Sequence, residues 1–287
     1  MAYIFPRLQQ IISRGDDLPT LPTIVLQLHR VLDDPRAGVA RVAQVIDQDP
    51  ALTTRLLRLA NSAAFGRGGA PISTVGAAIA RMGLNQVRAV CTVLSVVKAF
   101  GNGRARFDHE EFWSHSVTVA SLARRLWESV GDTRRIRPDD AYLVGLLHDV
   151  GLLLVDQYFP DEFSQLLDRR PERDTPIGAL EEEHLGIDHG AVASLLIGRW
   201  ALPEFVADAV YHHNHPEGAP PEVLRLTTVI AAAEAMCWQL DVGLAVEGRP
   251  PQPAAVRLRA LDVPAARVHG MIDWTEEAYL ASTELLA

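Results

Sequence analysis

The sequence is poor in cysteine, in lysine and in uninterrupted apolar runs. Two cysteines, Cys91 and Cys237, cannot build a disulfide framework in 287 residues, and they point to a reducing compartment. Lys98 is the one lysine, and 27 basic residues stand against 36 acidic ones, a net charge of −9. No basic surplus marks a duplex-binding face, so nucleic acid is not an expected partner. No stretch reaches the ~18 apolar residues of a membrane helix. The first fifteen residues lack the basic, apolar and small-residue pattern of a signal peptide, so no membrane partner is expected and the cytoplasm is the expected compartment. Strand signals are also scarce, with no long alternating run of β-branched residues between hairpin turns. With 48% hydrophobic residues the chain can bury a sizeable core.

Helix signals are plentiful. Pro22 suits the first turn of a helix whose apolar face is Ile24, Leu28, Val31 and Leu32. Asp49-Pro50 repeats the device, with Asp49 as N-cap and Leu52, Leu56, Leu57 and Ala60 as the stripe. The helix Asn85–Phe100 is apolar nearly all round, which predicts burial on several sides. The polar, glycine-bearing break Gly101-Asn-Gly-Arg104 is the expected boundary between an N-terminal helical lobe, residues 1–103, and a second helical lobe, residues 104–287. Helices are expected from Glu110 to Val130, Pro138 to Gln157, Asp188 to Trp200, Pro203 to His213 and Pro221 to Leu240. The fold class is all-α.

Among ten histidines, the sharpest local signal is Gly145-Leu-Leu-His-Asp-Val-Gly-Leu-Leu-Leu154. An ionised Asp149 inside so apolar a helix is costly unless it is paired or bound to a metal. Two readings follow for His148-Asp149: a divalent-metal site, for which imidazole nitrogen and carboxylate oxygen suit Zn, Fe or Mn, or a buried hydrogen-bonded pair. His115 sits early in its helix among Val117, Val119 and Leu122, and His189 falls in a first turn capped by Asp188. His212 and His213 end a helix, where imidazoles also interact favourably with the helix dipole. His184, after Glu181, Glu182 and Glu183, reads as part of a solvated charged face.

These residues carry a resemblance. Leu18-Pro-Thr-Leu-Pro22, Asp49-Pro-Ala-Leu52, Leu59-Ala-Asn-Ser62, Trp113-Ser-His-Ser116, Gly145-Leu-Leu-His-Asp149, Gly186-Ile-Asp-His189, Trp200-Ala-Leu-Pro203 and Tyr211-His-His213 occur in the order found in the HDOD family, the HD-related output domain. The resemblance implies an N-terminal helical lobe packed on a lobe like that of HD and HD-GYP metal phosphohydrolases. It also implies a bacterial signalling role with a signalling protein or a small nucleotide ligand as partner. It further implies metal ligands at His115, His148 and Asp149, with His189, His212 and His213 nearby. The distal Asp of the HD pattern is expected around Val229–Met236, where Glu234 is the one carboxylate. Leu152 stands where active relatives often carry lysine, and Asn-His-Pro-Glu follows His213 where related cyclic-dinucleotide phosphodiesterases carry Gly-Tyr-Pro. The expectation is a regulatory module with a degenerate, non-catalytic HD-type pocket and a divalent metal (Fe, Mn or Zn). The alternative is an active metal-dependent phosphohydrolase on a nucleotide or cyclic dinucleotide.

Overall fold

The computed structural model describes residues 3–14, 18–19, 23–24, 27–28, 31, 38–61, 70–100, 106–132, 134–170, 175–200 and 202–286. The N-terminal marker 20–22, the loop 62–69 and the break 101–105 lie outside them. All regular structure among the described residues is helical, and no helix there is long and apolar enough to cross a membrane. The chain divides into two compact units: Pro19–Gly101 with Thr283–Ala287, and Met1–Leu18 with Asn102–Ser282.

α1 spans Phe5–Arg14 and belongs to the larger unit, where the Ile4 amide donates to the Leu185 carbonyl at 3.0 Å. The smaller unit contains α2 (Val39–Ile46), α3 (Pro50–Ala60), α4 (Val75–Met82) and α5 (Leu84–Phe100). α3 starts where its sequence dictates, because Pro50 needs no donor there and Asp49 Oδ1 accepts from the amides of Ala51 and Leu52 at 3.0 and 3.1 Å. Past its end, the Asn61 side chain bonds both backbone groups of Ile72, Oδ1 accepting at 2.8 Å and Nδ2 donating at 2.9 Å. Thr74 caps α4 through the Ala77 amide, and Gly83 ends it at φ +86°, a backbone region that suits glycine. Leu28, Val42, Ile46, Leu52, Leu56, Val75, Ile79, Val87 and Leu94 close one apolar core. Burial along α5 extends to Ala89, Val93 and Val96, so the helix is covered on several sides.

The larger unit continues with α6 (His109–Val130), α7 (Pro138–Leu147), α8 (Val150–Tyr158), α9 (Pro160–Arg169), α10 (Ile177–Leu185), α11 (His189–Arg199) and α12 (Glu204–Tyr211). A short 3-10 turn, Pro216–Gly218, leads into α13 (Pro221–Gln239), α14 (Ala254–Ala260) and α15 (Ala265–Leu286), which is counted in this unit as far as Ser282. α6 packs on α7 and α13, and α8 packs on α11. Two glycines permit the closest approaches: a Cβ on Gly145 would stand 2.7 Å from the Ala120 Cα, and one on Gly151 would stand 1.9 Å from the His189 carbonyl oxygen.

One expected helix is two. The sequence places His148 and Asp149 inside a continuous run from Pro138 to Gln157, whereas α7 ends at Leu147 and both residues occupy the turn before α8. The reason is local: His148 Nδ1–H donates to the Gly145 carbonyl at 2.7 Å, taking up an oxygen at the end of α7. The turn swings both side chains inward.

Candidate metal centre

Five elements of the larger unit converge. α6 supplies His115, the α7–α8 turn His148 and Asp149, the start of α11 His189, and the turn after α12 His213. His189 enters there because Asp188 caps α11, its Oδ1 accepting from the Ala191 amide at 2.8 Å. The fifth element, the turn following α13, brings in Glu247.

Each imidazole is fixed through its outer nitrogen. Nδ1 faces the Val242 carbonyl in His115 (3.1 Å), the Gly145 carbonyl in His148 (2.7 Å), the Val210 carbonyl in His213 (2.6 Å) and Glu181 Oε2 in His189 (2.5 Å). Carbonyl and carboxylate oxygens only accept, so every Nδ1 carries a hydrogen and every Nε2 points inward. There the Nε2 atoms meet the two oxygens of Asp149. His148 and His115 face Oδ2 at 3.2 and 4.0 Å, while His189 and His213 face Oδ1 at 3.4 and 3.5 Å. Glu247 Oε2 lies 4.0 Å from His115 Nε2. Two donor sets overlap on Asp149 and Glu247, one completed by His115 and His148, the other by His189 and His213.

The centre is buried, and none of the six residues is more than 3% exposed. Both oxygens of Asp149, both of Glu247, and Nε2 of His115 and of His148 have no hydrogen-bond partner. Such orphaned groups are costly in a protein interior, and a cation placed among them would satisfy all of them at once. The donor set therefore fits a divalent metal. Outward donation from Nδ1 to a fixed acceptor is also how metal-binding imidazoles are oriented in general.

Charge follows the same geometry. Burial and the neighbouring His148 push the pKa of His115 down to about 4, against the pull of Asp149 and the Val242 carbonyl. Burial also opposes charge on His148 and His189, yet Asp149 raises His148, and Glu181 together with Asp149 raises His189 well above its usual range. Burial works against an ionised Asp149 too, but His148 leads the groups that hold it well below the ordinary carboxylate range. Glu247 is raised well above its usual value by burial first and by Asp149 and Glu234 next. Without a cation, the carboxylates and imidazoles must share protons to balance their charge.

Some expected residues lie elsewhere. His212 is half-buried outside the donor sets, its ring 4.6 Å from that of Tyr211. Glu234 is buried beside the centre, while Glu247 is the carboxylate that meets His115. Glu234 stands outside both donor sets, although His213 and His148 act on its charge. Glu181 is no part of a solvated face: it is fully buried, and its Oε2 accepts from both the backbone amide and Nδ1 of His189. Three consecutive glutamates hide which one turns inward, and the loop position of Glu247 offers no periodicity to read.

This helical framework has relatives. The profile of the HDOD domain matches residues 18–216. The chain belongs to the HDOD family. A crystal structure of an HDOD domain protein of unknown function from Geobacter sulfurreducens is similar over 97% of this chain and 96% of its own, with 30% identity and a TM-score of 0.81. A Shewanella amazonensis SB2B structure shares the fold at 23% identity and a TM-score of 0.73, over 98% of each chain. A protein of Treponema pallidum (strain Nichols) is 30% identical over 236 residues, 80% of this chain and 44% of that protein. The HDOD chain thus spans less than half the length of that curated relative. Glu247 lies beyond the residues that match the family profile.

Proposed function

We propose that this HDOD chain is a bacterial regulatory module that holds a divalent metal in its HD-type centre and acts by binding a partner rather than by turnover. One observation carries the reading: two overlapping donor sets, each of two imidazoles with Asp149 and Glu247, lie in a buried centre with no exposed edge. Each set offers four protein donors, enough to close a tetrahedral site, whereas catalytic sites keep a position open for water or substrate. A bound metal would supply Lewis acidity and a low-pKa water in an active relative. Here Leu152, fully buried, occupies the position where a lysine would meet phosphate in active relatives, so no side-chain cation stands there to stabilise a transferring phosphoryl group.

The partner class is a signalling protein or a small nucleotide ligand, and the compartment is the reducing cytoplasm, where the buried free thiols Cys91 and Cys237 would persist. Metal analysis of the purified chain, melting with and without chelator, and hydrolysis assays on cyclic di-GMP and bis(4-nitrophenyl) phosphate with Mn, Fe or Zn test this. Bound metal, a lower melting temperature after chelation and no hydrolysis are expected. Metal-dependent turnover near ~1 per second that is lost in Asp149→Ala would replace the regulatory reading with an enzymatic one. A chain that takes up no metal would overturn the metal centre.

A further inference from the structure

Four of the six converging donors are placed by helix ends and turns within the stretch that matches the family profile, and a fifth, His115, by a helix interior in the same stretch. The sixth, Glu247, comes from an irregular segment, residues 242–248, that leaves α13. This segment serves the centre twice. Its Val242 carbonyl accepts from His115 Nδ1 at 3.1 Å, and its Glu247 supplies the carboxylate facing His115 Nε2. The other three imidazoles take their outer bonds from Gly145, Val210 and Glu181, away from it.

An irregular segment needs something to hold its shape. Leu244 and Val246 are buried, yet the segment also borders a cavity of about 440 Å³ that Phe107 helps to line. Hydrogen bonds fix its backbone. Arg170 Nη1 donates to the carbonyls of Ala245 (3.0 Å) and Val246 (3.2 Å), while Nε and Nη2 of the same guanidinium donate to Thr175 O. Glu111 Oε1 accepts from the Ala245 amide at 3.1 Å, and the Ile177 amide donates to the Glu247 carbonyl at 2.8 Å. Gly248 turns at φ +92°, and a Cβ there would stand 2.1 Å from Arg170 Nη2 and 2.3 Å from Thr175 O. The guanidinium thus lies against the bend itself.

We infer that residues 242–248 form the strap that completes the metal centre, and that Arg170 and Glu111 are positioning residues that hold Glu247 and orient His115 without touching the metal. The inference rests on the reading of the cluster as a metal centre. A guanidinium spanning two successive carbonyls fixes the peptide planes just before Glu247, and its second anchor at Thr175 ties the strap to the start of α10. Loss of that clamp leaves Glu247 and the Val242 carbonyl free to drift, so the His115 side of the donor set loosens while the His189 side keeps its outer bonds.

The test uses the full chain, stripped of metal and titrated with Co²⁺ under visible absorption. Arg170→Met keeps the aliphatic stem and removes the clamp; Glu247→Gln removes the donor. Arg225→Met serves as control, because Arg225 also bridges two backbone carbonyls, Val130 and Leu261, but away from the centre. Arg170→Met is expected to bind Co²⁺ about 10–100-fold more weakly, the range for an outer-shell partner, with a cobalt spectrum shifted toward that of Glu247→Gln. Arg225→Met should keep the wild-type affinity and spectrum. Should Arg170→Met fail to fold, Glu111→Met, which leaves the Ala245 amide without its acceptor, gives the same readout on the strap's other anchor. Wild-type affinity and spectrum in the clamp variant, or an equal loss in the control, overturns the strap. A wild-type chain that binds no Co²⁺ overturns the metal reading itself, and the two failures are thereby distinguished.

Discussion

The two units of this protein solve the problem of an interior in opposite ways. The smaller one buries Leu28, Val42, Ile46, Leu52, Leu56, Val75 and their neighbours, a core held by area removed from water. The larger one buries His115, His148, Asp149, Glu181, His189, His213, Glu234 and Glu247 among its apolar side chains. Transferring such groups from water is unfavourable unless each finds a partner, and several of their atoms have none within the protein. An apolar core is stable whatever the solution contains. A core built from orphaned donors and acceptors stays conditional on what binds it.

The contrast is broken most severely at Asp149. Asp149→Ala should remove metal binding and leave four imidazoles without the carboxylate they face, at a cost of roughly 3–5 kcal/mol, as for other broken buried pairs. Denaturant unfolding in the presence of metal measures it; a loss under 1 kcal/mol would mean the centre is peripheral to folding. Leu56→Ala in the smaller unit should cost about 2–5 kcal/mol through its cavity. That loss should be the same with and without chelator, and a chelator-dependent value would show that the two interiors are not independent.

Gly151→Ala should cost about 1–3 kcal/mol by overpacking, since its Cβ meets the carbonyl of His189. It should also weaken metal binding, because relief of that clash moves the start of α11. An unchanged cobalt titration would show that His189 is not a donor.

pH sharpens the comparison further. In the metal-free chain, His115 is held down to about 4 from an ordinary 6.5, so the stability its neutral form contributes is full above pH 6.5 and is lost as pH falls toward 4. Asp149, held below its ordinary 3.8, adds a further loss below that value. His148 and His189 have the opposite sign: their stabilising contribution is present below pH 6.5 and fades as pH rises through their raised values. Glu247 prefers its protonated form, so it becomes a growing liability above pH 4.5. Two effects of opposite direction follow for Glu247→Gln: a metal-free chain more stable at pH 8, and weaker metal binding. Equal stability with unchanged affinity would remove Glu247 from the centre. Amide exchange should show these pH effects in the larger unit and little change in the smaller one. The smallest expected effect is Asp49→Ala, a lost N-cap worth about 1 kcal/mol, independent of metal and pH above 5.

Much of this was legible residue by residue. Asp49-Pro50 marked the start of α3, Asp188 the start of α11, and the ordered histidine motifs the family, because caps and short motifs act over a few residues. The break at His148-Asp149 was not legible, since Leu, Val and Gly continue the apolar pattern through it and the interruption comes from one imidazole bonding one carbonyl. Nor were the two buried carboxylates. Glu181 shares its sequence surroundings with two more glutamates, and Glu247 lies in a segment with no period.

The sequence by itself determined most of the helices, their caps and the pool of candidate imidazoles, for these depend on local spacing and on which side chains carry an imidazole. Tertiary structure decided which carboxylates complete the set, that His213 enters and His212 does not, and that every Nε2 faces Asp149. Those choices depend on where distant backbone carbonyls and the Arg170 guanidinium come to lie. Orientation of a buried polar group is fixed by partners far away in the chain, and no local pattern encodes them.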